Sequence, residues 1–80
     1  MPKHRGNKMK ITYKKLWKLL IDRDMMKMDL LKASKISTVS MAKLGKNQNV
    51  TTDVLLKICT ALHCDISDIM EVVEDDEEKK

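Results

Sequence analysis

Residues 27–46 read K-M-D-L-L-K-A-S-K-I-S-T-V-S-M-A-K-L-G-K, a stretch that describes two short helices joined by a tight turn. The first carries Leu30 and Leu31 and ends near Ser34. The second opens at Ser37, whose hydroxyl can accept a hydrogen bond from an orphan amide of the first helical turn. Met41 and Leu44 then follow on one face, while Thr38, Ser40 and Lys43 lie elsewhere on the cylinder. A helix this short does not hold itself together in water. It must be packed onto a scaffold, with its polar and basic side outward.

The scaffold is legible on either side. Thr12 is expected to cap a helix in which Tyr13, Leu16, Trp17, Leu20 and Ile21 recur at i, i+3, i+4, i+7 and i+8, with Lys14, Lys15, Lys18 and Asp22 opposite. Trp17 reads as a core anchor, and Met25, Met26 and Met28 as fillers of core gaps. Gly45 to Val50 is a polar loop. Thr51 or Thr52 caps a fourth helix with Asp53 in its first turn, and Val54, Leu55, Ile58, Ala61 and Leu62 form its apolar face. Asp65 caps a last short helix, with Asp68 three residues on as a carboxylate version of the capping box, and Ile66, Ile69 and Met70 pack back. The expected fold is all-α: five helices, no strands, and a helix-turn-helix at helices 2 and 3, within one domain over residues 11–73.

Eighty residues allow one such domain with a small core. No apolar run is long enough to span a bilayer and no signal-peptide pattern is present, so a cytoplasmic chain is expected. Phe is absent, and Tyr13 and Trp17 are the only aromatics. That excludes modules that stack nucleobases on a row of aromatic rings. Charge is divided unevenly. Residues 1–57 hold fourteen Lys or Arg against four acids, a net of +10, whereas residues 58–80 hold two against eight. The asymmetry points to a polyanionic partner for the front of the chain. Residues 1–10 are expected to form a flexible basic arm and residues 74–80 an acidic, solvated tail.

Other chemistry is thin. Cys59, His63 and Cys64 invite a metal reading, but a structural zinc site wants four ligands in separated pairs. Reduced, buried thiols are the better expectation, with no metal and no cofactor. There is no nucleophile beside a base, no Gly-rich phosphate loop and no paired carboxylates in an apolar pocket. No enzyme is expected, and no small-molecule effector is evident.

From Tyr13 to Met70 the chain resembles the XRE family of helix-turn-helix transcriptional regulators, which have the lambda-repressor and Cro-like fold. The resemblance rests on D-L-L-K-A-S-K-I-S-T-V-S at residues 29–40, on Leu44, and on V-L-L-K-I-C-T-A-L-H-C-D-I-S-D-I-M at residues 54–70. It implies a regulator of double-stranded DNA, a repressor in the first instance, with Ser37, Thr38, Val39, Ser40 and Lys43 at the base-reading positions. It also implies phosphate contacts from Lys27, Lys46, Asn47 and Asn49. Pairing as a homodimer through the C-terminal end, around Ile66, Ile69, Met70 and Val73, is implied as well. The sequence departs from the family where Leu31 replaces a small residue, Lys35 a turn Gly, and Met26 a Ser or Thr cap. The alternative is a protein-interaction module, such as an antitoxin or accessory subunit, that keeps the fold.

Overall fold

The computed structural model describes residues 8–75, so the parts of the expected arm and tail at residues 1–7 and 76–80 lie outside the described residues. The order is strand β1 (Met9–Thr12), helices α1 (Lys14–Asp22), α2 (Lys27–Ser34), α3 (Thr38–Gly45) and α4 (Thr52–Leu62), a 3-10 turn at Ile66–Asp68, and strand β2 (Glu71–Glu74). Four α-helices surround one aliphatic core. Tyr13, Leu16, Leu20, Leu30, Ile36, Leu44, Leu55, Ile58, Leu62 and Ile69 are buried; all four helices contribute to this core, Ile69 enters it directly after the 3-10 turn, and Ile11 of β1 packs against it.

Two expectations about the fold are corrected here. The fifth helix is a single 3-10 turn. Asp65 and Asp68 cap it as the sequence suggested, Asp65 accepting from the Ser67 amide at 3.1 Å and Asp68 from the Asp65 amide at 2.9 Å. Hydrogen bonds from the Ser67 amide and hydroxyl hold the Asp65 carboxyl below its usual range. The turn stops because Ile69 dives into the core and the chain then extends as β2. The protein is also not all-α. β1 and β2 form an antiparallel ribbon with Met9 opposite Glu74 and Thr12 opposite Glu71. Met9 and Lys10 therefore belong to the folded domain rather than to the arm, and Glu74 belongs to the ribbon. Lys10 and Asp75 extend the pairing as an ion pair at 3.9 Å, and the Asp75 amide donates to the Lys8 carbonyl at 2.9 Å.

The apolar stripe of α1 is narrower than expected. Its centre lies over Tyr13, Leu16 and Leu20, so Ile21, more than a quarter-turn from that centre, is 74% exposed, and Trp17 on the flank is half-buried. Met25 packs against the core, but Met26 and Met28 are exposed and fill no gap there. Thr12 does not cap α1 in the usual way; Tyr13 is the N-cap residue, and the Thr12 hydroxyl accepts from the Lys14 amide at 3.3 Å.

All four α-helices are followed by a residue with a left-handed backbone, and none of these is Gly: Asp24, Lys35, Asn47 and His63 have φ between 53° and 62°. Asp, Asn and His tolerate that region better than most residues. Lys35 does not, and the turn it makes costs about 1 kcal/mol relative to Gly. The turn is held nonetheless, because Ile36 is buried beside it and the Lys35 amide donates to the Leu31 carbonyl at 2.9 Å. Buried Ser34 is satisfied by the Leu30 carbonyl at 2.7 Å. Leu31, in place of a small residue, is accommodated half-buried against the core.

Candidate nucleic-acid interface

The second motif helix begins as its sequence demands. The Ser37 hydroxyl accepts from the Ser40 amide at 3.1 Å, with Ser37 itself extended at ψ 162°. The same hydroxyl lies 3.1 Å from the Ser40 hydroxyl. Ser37 and Ser40 thus spend part of their hydrogen-bonding capacity on each other and on the cap, and Ser40 is half-buried. Less of that capacity is left for an outside partner.

Beyond the cap, Leu44 is the fully buried residue of α3 and Met41 packs beside it. The opposite side is open: Thr38, Val39, Ala42 and Lys43 are all exposed, and Val39 is 63% exposed. Positions i, i+1, i+4 and i+5 share one helical face. That face offers a hydroxyl, two small apolar surfaces and an ammonium. Ala42 is absent from the set read from the sequence, although its spacing from Thr38 and Val39 placed it there. A small side chain suggests no chemistry by itself, which is why pattern alone passed over it.

The cations around this helix are held differently from one another. Lys27, first residue of α2, sits with its ammonium 4.6 Å from the centroid of the Trp17 ring. Trp17 is therefore both a flank of the core and a seat for this cation. With no hydroxyl at Met26, the N-terminus of α2 is held by the return bond of a capping box: the Asp29 carboxylate accepts from the Met26 amide at 2.8 Å. Lys46 is the exposed C-cap of α3, and Asn49 is exposed in the following loop. Asn47 has a structural task that the sequence did not reveal. Its side-chain oxygen accepts from the Tyr13 amide at 3.0 Å, and its NH2 group is the donor that remains. Tyr13, 1% exposed, donates its hydroxyl to the Gln48 carbonyl at 2.8 Å.

At the end of α4, Cys59 and Cys64 are free, half-buried thiols, and the Cys64 amide donates to the Cys59 carbonyl at 3.1 Å. Burial, helped by Cys59 and Asp68, pushes the Cys64 thiol up to about 11. Among the described residues no group of three or more His, Cys, Asp or Glu side chains is placed to hold a metal ion. No helix among them is long and apolar enough to cross a membrane. Of the residues read as a dimer contact, Ile69 is fully buried within the chain's own core and is unavailable to a partner, whereas Ile66 is 37% exposed. Met70 and Val73 are half-buried.

The profile of the Cro/C1-type HTH DNA-binding domain matches residues 15–75 of this chain. Among solved structures, the chain is similar to the crystal structure of the transcriptional regulator VanUg (Form II), with 48% identity and a TM-score of 0.83. That match covers 94% of this chain and 100% of the other. A search of curated proteins found no match. The chain belongs to the Cro/C1-type helix-turn-helix DNA-binding family.

Proposed function

We propose that this protein is a sequence-specific transcriptional regulator, a repressor, that reads the major groove of double-stranded DNA with α3. The observation that carries the reading is the outward face of α3, where Thr38, Val39, Ala42 and Lys43 are exposed together while Leu44 anchors the helix from behind. Thr38 can donate to or accept from base edges, Val39 and Ala42 suit a thymine methyl, and Lys43 suits a guanine. Ser37 and Ser40 contribute from the edge of this set. Lys27, Lys46, Asn49 and the NH2 group of Asn47 contact phosphate and set register. The similar protein VanUg is described as a transcriptional regulator, which supports the same role for this chain.

Docking is as a homodimer on two half-sites about one helical turn apart. The C-terminal contact comprises Ile66, Met70 and Val73, with Val72, 58% exposed on β2, in the place Ile69 cannot fill. The test is selection of binding sites from random duplex DNA, followed by sedimentation of the free protein. The expected outcome is a paired, two-fold-related motif and a dimer at working concentration. Recovery of no enriched sequence overturns the reading. A monomer that binds one half-site as tightly as the pair removes the dimer.

A further inference from the structure

We propose that Tyr13 is a positioning residue for DNA binding, holding the loop after α3 so that Lys46 meets the phosphate backbone. The inference rests on the DNA-binding reading above. The loop has little to hold it: residues 46–49 are all exposed, and the next residue that packs against the core is Val50. The end of α3 closes on itself, the Asn47 amide donating to the Leu44 carbonyl at 3.2 Å and the Gln48 amide to the Lys43 carbonyl at 2.9 Å. Those bonds fix the helix end but do not attach it to its neighbours.

Attachment comes from Tyr13. Among the hydrogen bonds of the described residues, two join residues 46–49 to another element, and both involve Tyr13: its amide donates to the Asn47 side chain and its hydroxyl to the Gln48 carbonyl. They fall on the left-handed Asn47 and on the residue after it, next to Lys46. Tyr13 is too deeply buried to touch a duplex, so any effect it has on binding passes through the loop. Burial also disfavours the phenolate, which keeps the hydroxyl as the donor the Gln48 carbonyl requires.

Phosphate contacts by lysine depend on geometry as well as charge, and each one lost lowers the dependence of binding on salt by about one unit of log–log slope. This gives a readout that mere destabilisation of the fold does not move. The experiment titrates random-sequence duplex with wild type, Tyr13→Phe, Lys46→Ala and the double variant across a range of salt, below the melting temperature of each. Lys46→Ala should weaken binding and lower the slope by about 1. Tyr13→Phe, which keeps the ring and removes the donor, should weaken binding about threefold to tenfold and lower the slope in the same direction. The double variant should be no weaker than Lys46→Ala alone within about twofold. Asn47→Gly, which keeps the left-handed backbone, deletes the other tether together with the neutral NH2 contact; it should lower the slope as Tyr13→Phe does with a larger loss of affinity, and its slope provides the test if Tyr13→Phe fails to fold. A wild-type slope in Tyr13→Phe and Asn47→Gly, a wild-type slope in Lys46→Ala, or losses that multiply in the double variant overturn the inference alone. A wild-type chain that binds no duplex overturns the DNA reading and the inference together.

Discussion

α3 and α4 start in the same way and bury very different parts of themselves. Each follows an extended N-cap residue whose hydroxyl accepts from the amide three residues on, Ser37 from Ser40 at 3.1 Å and Thr51 from Val54 at 3.2 Å. α4 then buries Leu55, Ile58 and Leu62, while α3 fully buries Leu44 and holds Met41 partly covered. Each also leaves one sizeable apolar side chain in solvent, Val39 at 63% and Leu56 at 57% exposure. Exposure alone therefore does not mark the functional helix. What separates them is company. Leu56 stands beside an i,i+4 ion pair, Asp53 to Lys57 at 3.2 Å, the furniture of an ordinary solvated surface. Val39 stands between Thr38 and Ala42 with Lys43 next in line, and no acidic residue lies on α3.

The comparison breaks first in the core. Ile58→Ala and Leu44→Ala should each destabilise the domain by about 2–5 kcal/mol, read from chemical denaturation. Leu44→Ala should in addition free α3, so its DNA binding should fall by more than its folded fraction explains. A smaller and more discriminating pair is Val39→Ser against Leu56→Ser. The first should reduce affinity for the selected site by about 1–3 kcal/mol with little change in stability, and the second should leave DNA affinity unchanged. Equal effects on binding would erase the distinction between the two helices. Smaller again are the caps. Ser37→Ala and Thr51→Ala should each cost about 1 kcal/mol of stability, measured by thermal melting, and only Ser37→Ala should also weaken the selected duplex.

The smallest effect concerns the thiol at the end of α4. Because the Cys64 pKa is raised to about 11, the folded protein keeps a proton that the unfolded chain loses near the ordinary thiol value of 9.0. Stability from this source is whole below pH 9 and declines as pH rises toward about 11. At pH 9, alkylation of Cys64 by iodoacetamide should be markedly slower in the folded protein than in the unfolded chain, read by peptide mass spectrometry. Equal rates would contradict the burial assigned to it.

Local chemistry was readable and non-local chemistry was not. Ser37, Thr51 or Thr52, and the Asp65–Asp68 pair announce starts through neighbours within three residues, and in the structure Ser37, Thr51 and Asp65 are the caps, whereas Thr12, read in the same way, is not. The left-handed turn at Lys35 followed from the position of the motif. The ribbon was missed because its strands are four residues each, β1 (M-K-I-T) alternates over too short a run to stand out, β2 (E-V-V-E) does not alternate, and the two lie at opposite ends of the chain. The tether from Tyr13 to Asn47 and Gln48 spans 34 and 35 residues, and nothing in either segment signals the other. Ile21 was misplaced because a five-residue stripe was taken as uniformly buried, whereas a nine-residue helix on a small core covers a narrower face. On the candidate interface, the polar and basic residues of α3 stood out by their chemistry, and Ala42 became visible once the buried face was known.

The central claim is that the outward face of α3 reads bases. Its most direct test is the specificity ratio, affinity for the selected duplex over affinity for random duplex at one fixed salt, in wild type and in the Thr38→Ala/Lys43→Ala variant. A wild-type ratio of about 1,000 or more is expected. In the variant it should fall by one to two orders of magnitude, as about 1–3 kcal/mol of discrimination is lost at each affected base pair, while the melting temperature stays close to that of wild type. A variant that keeps the wild-type ratio, and selects the same sequence, would contradict the account.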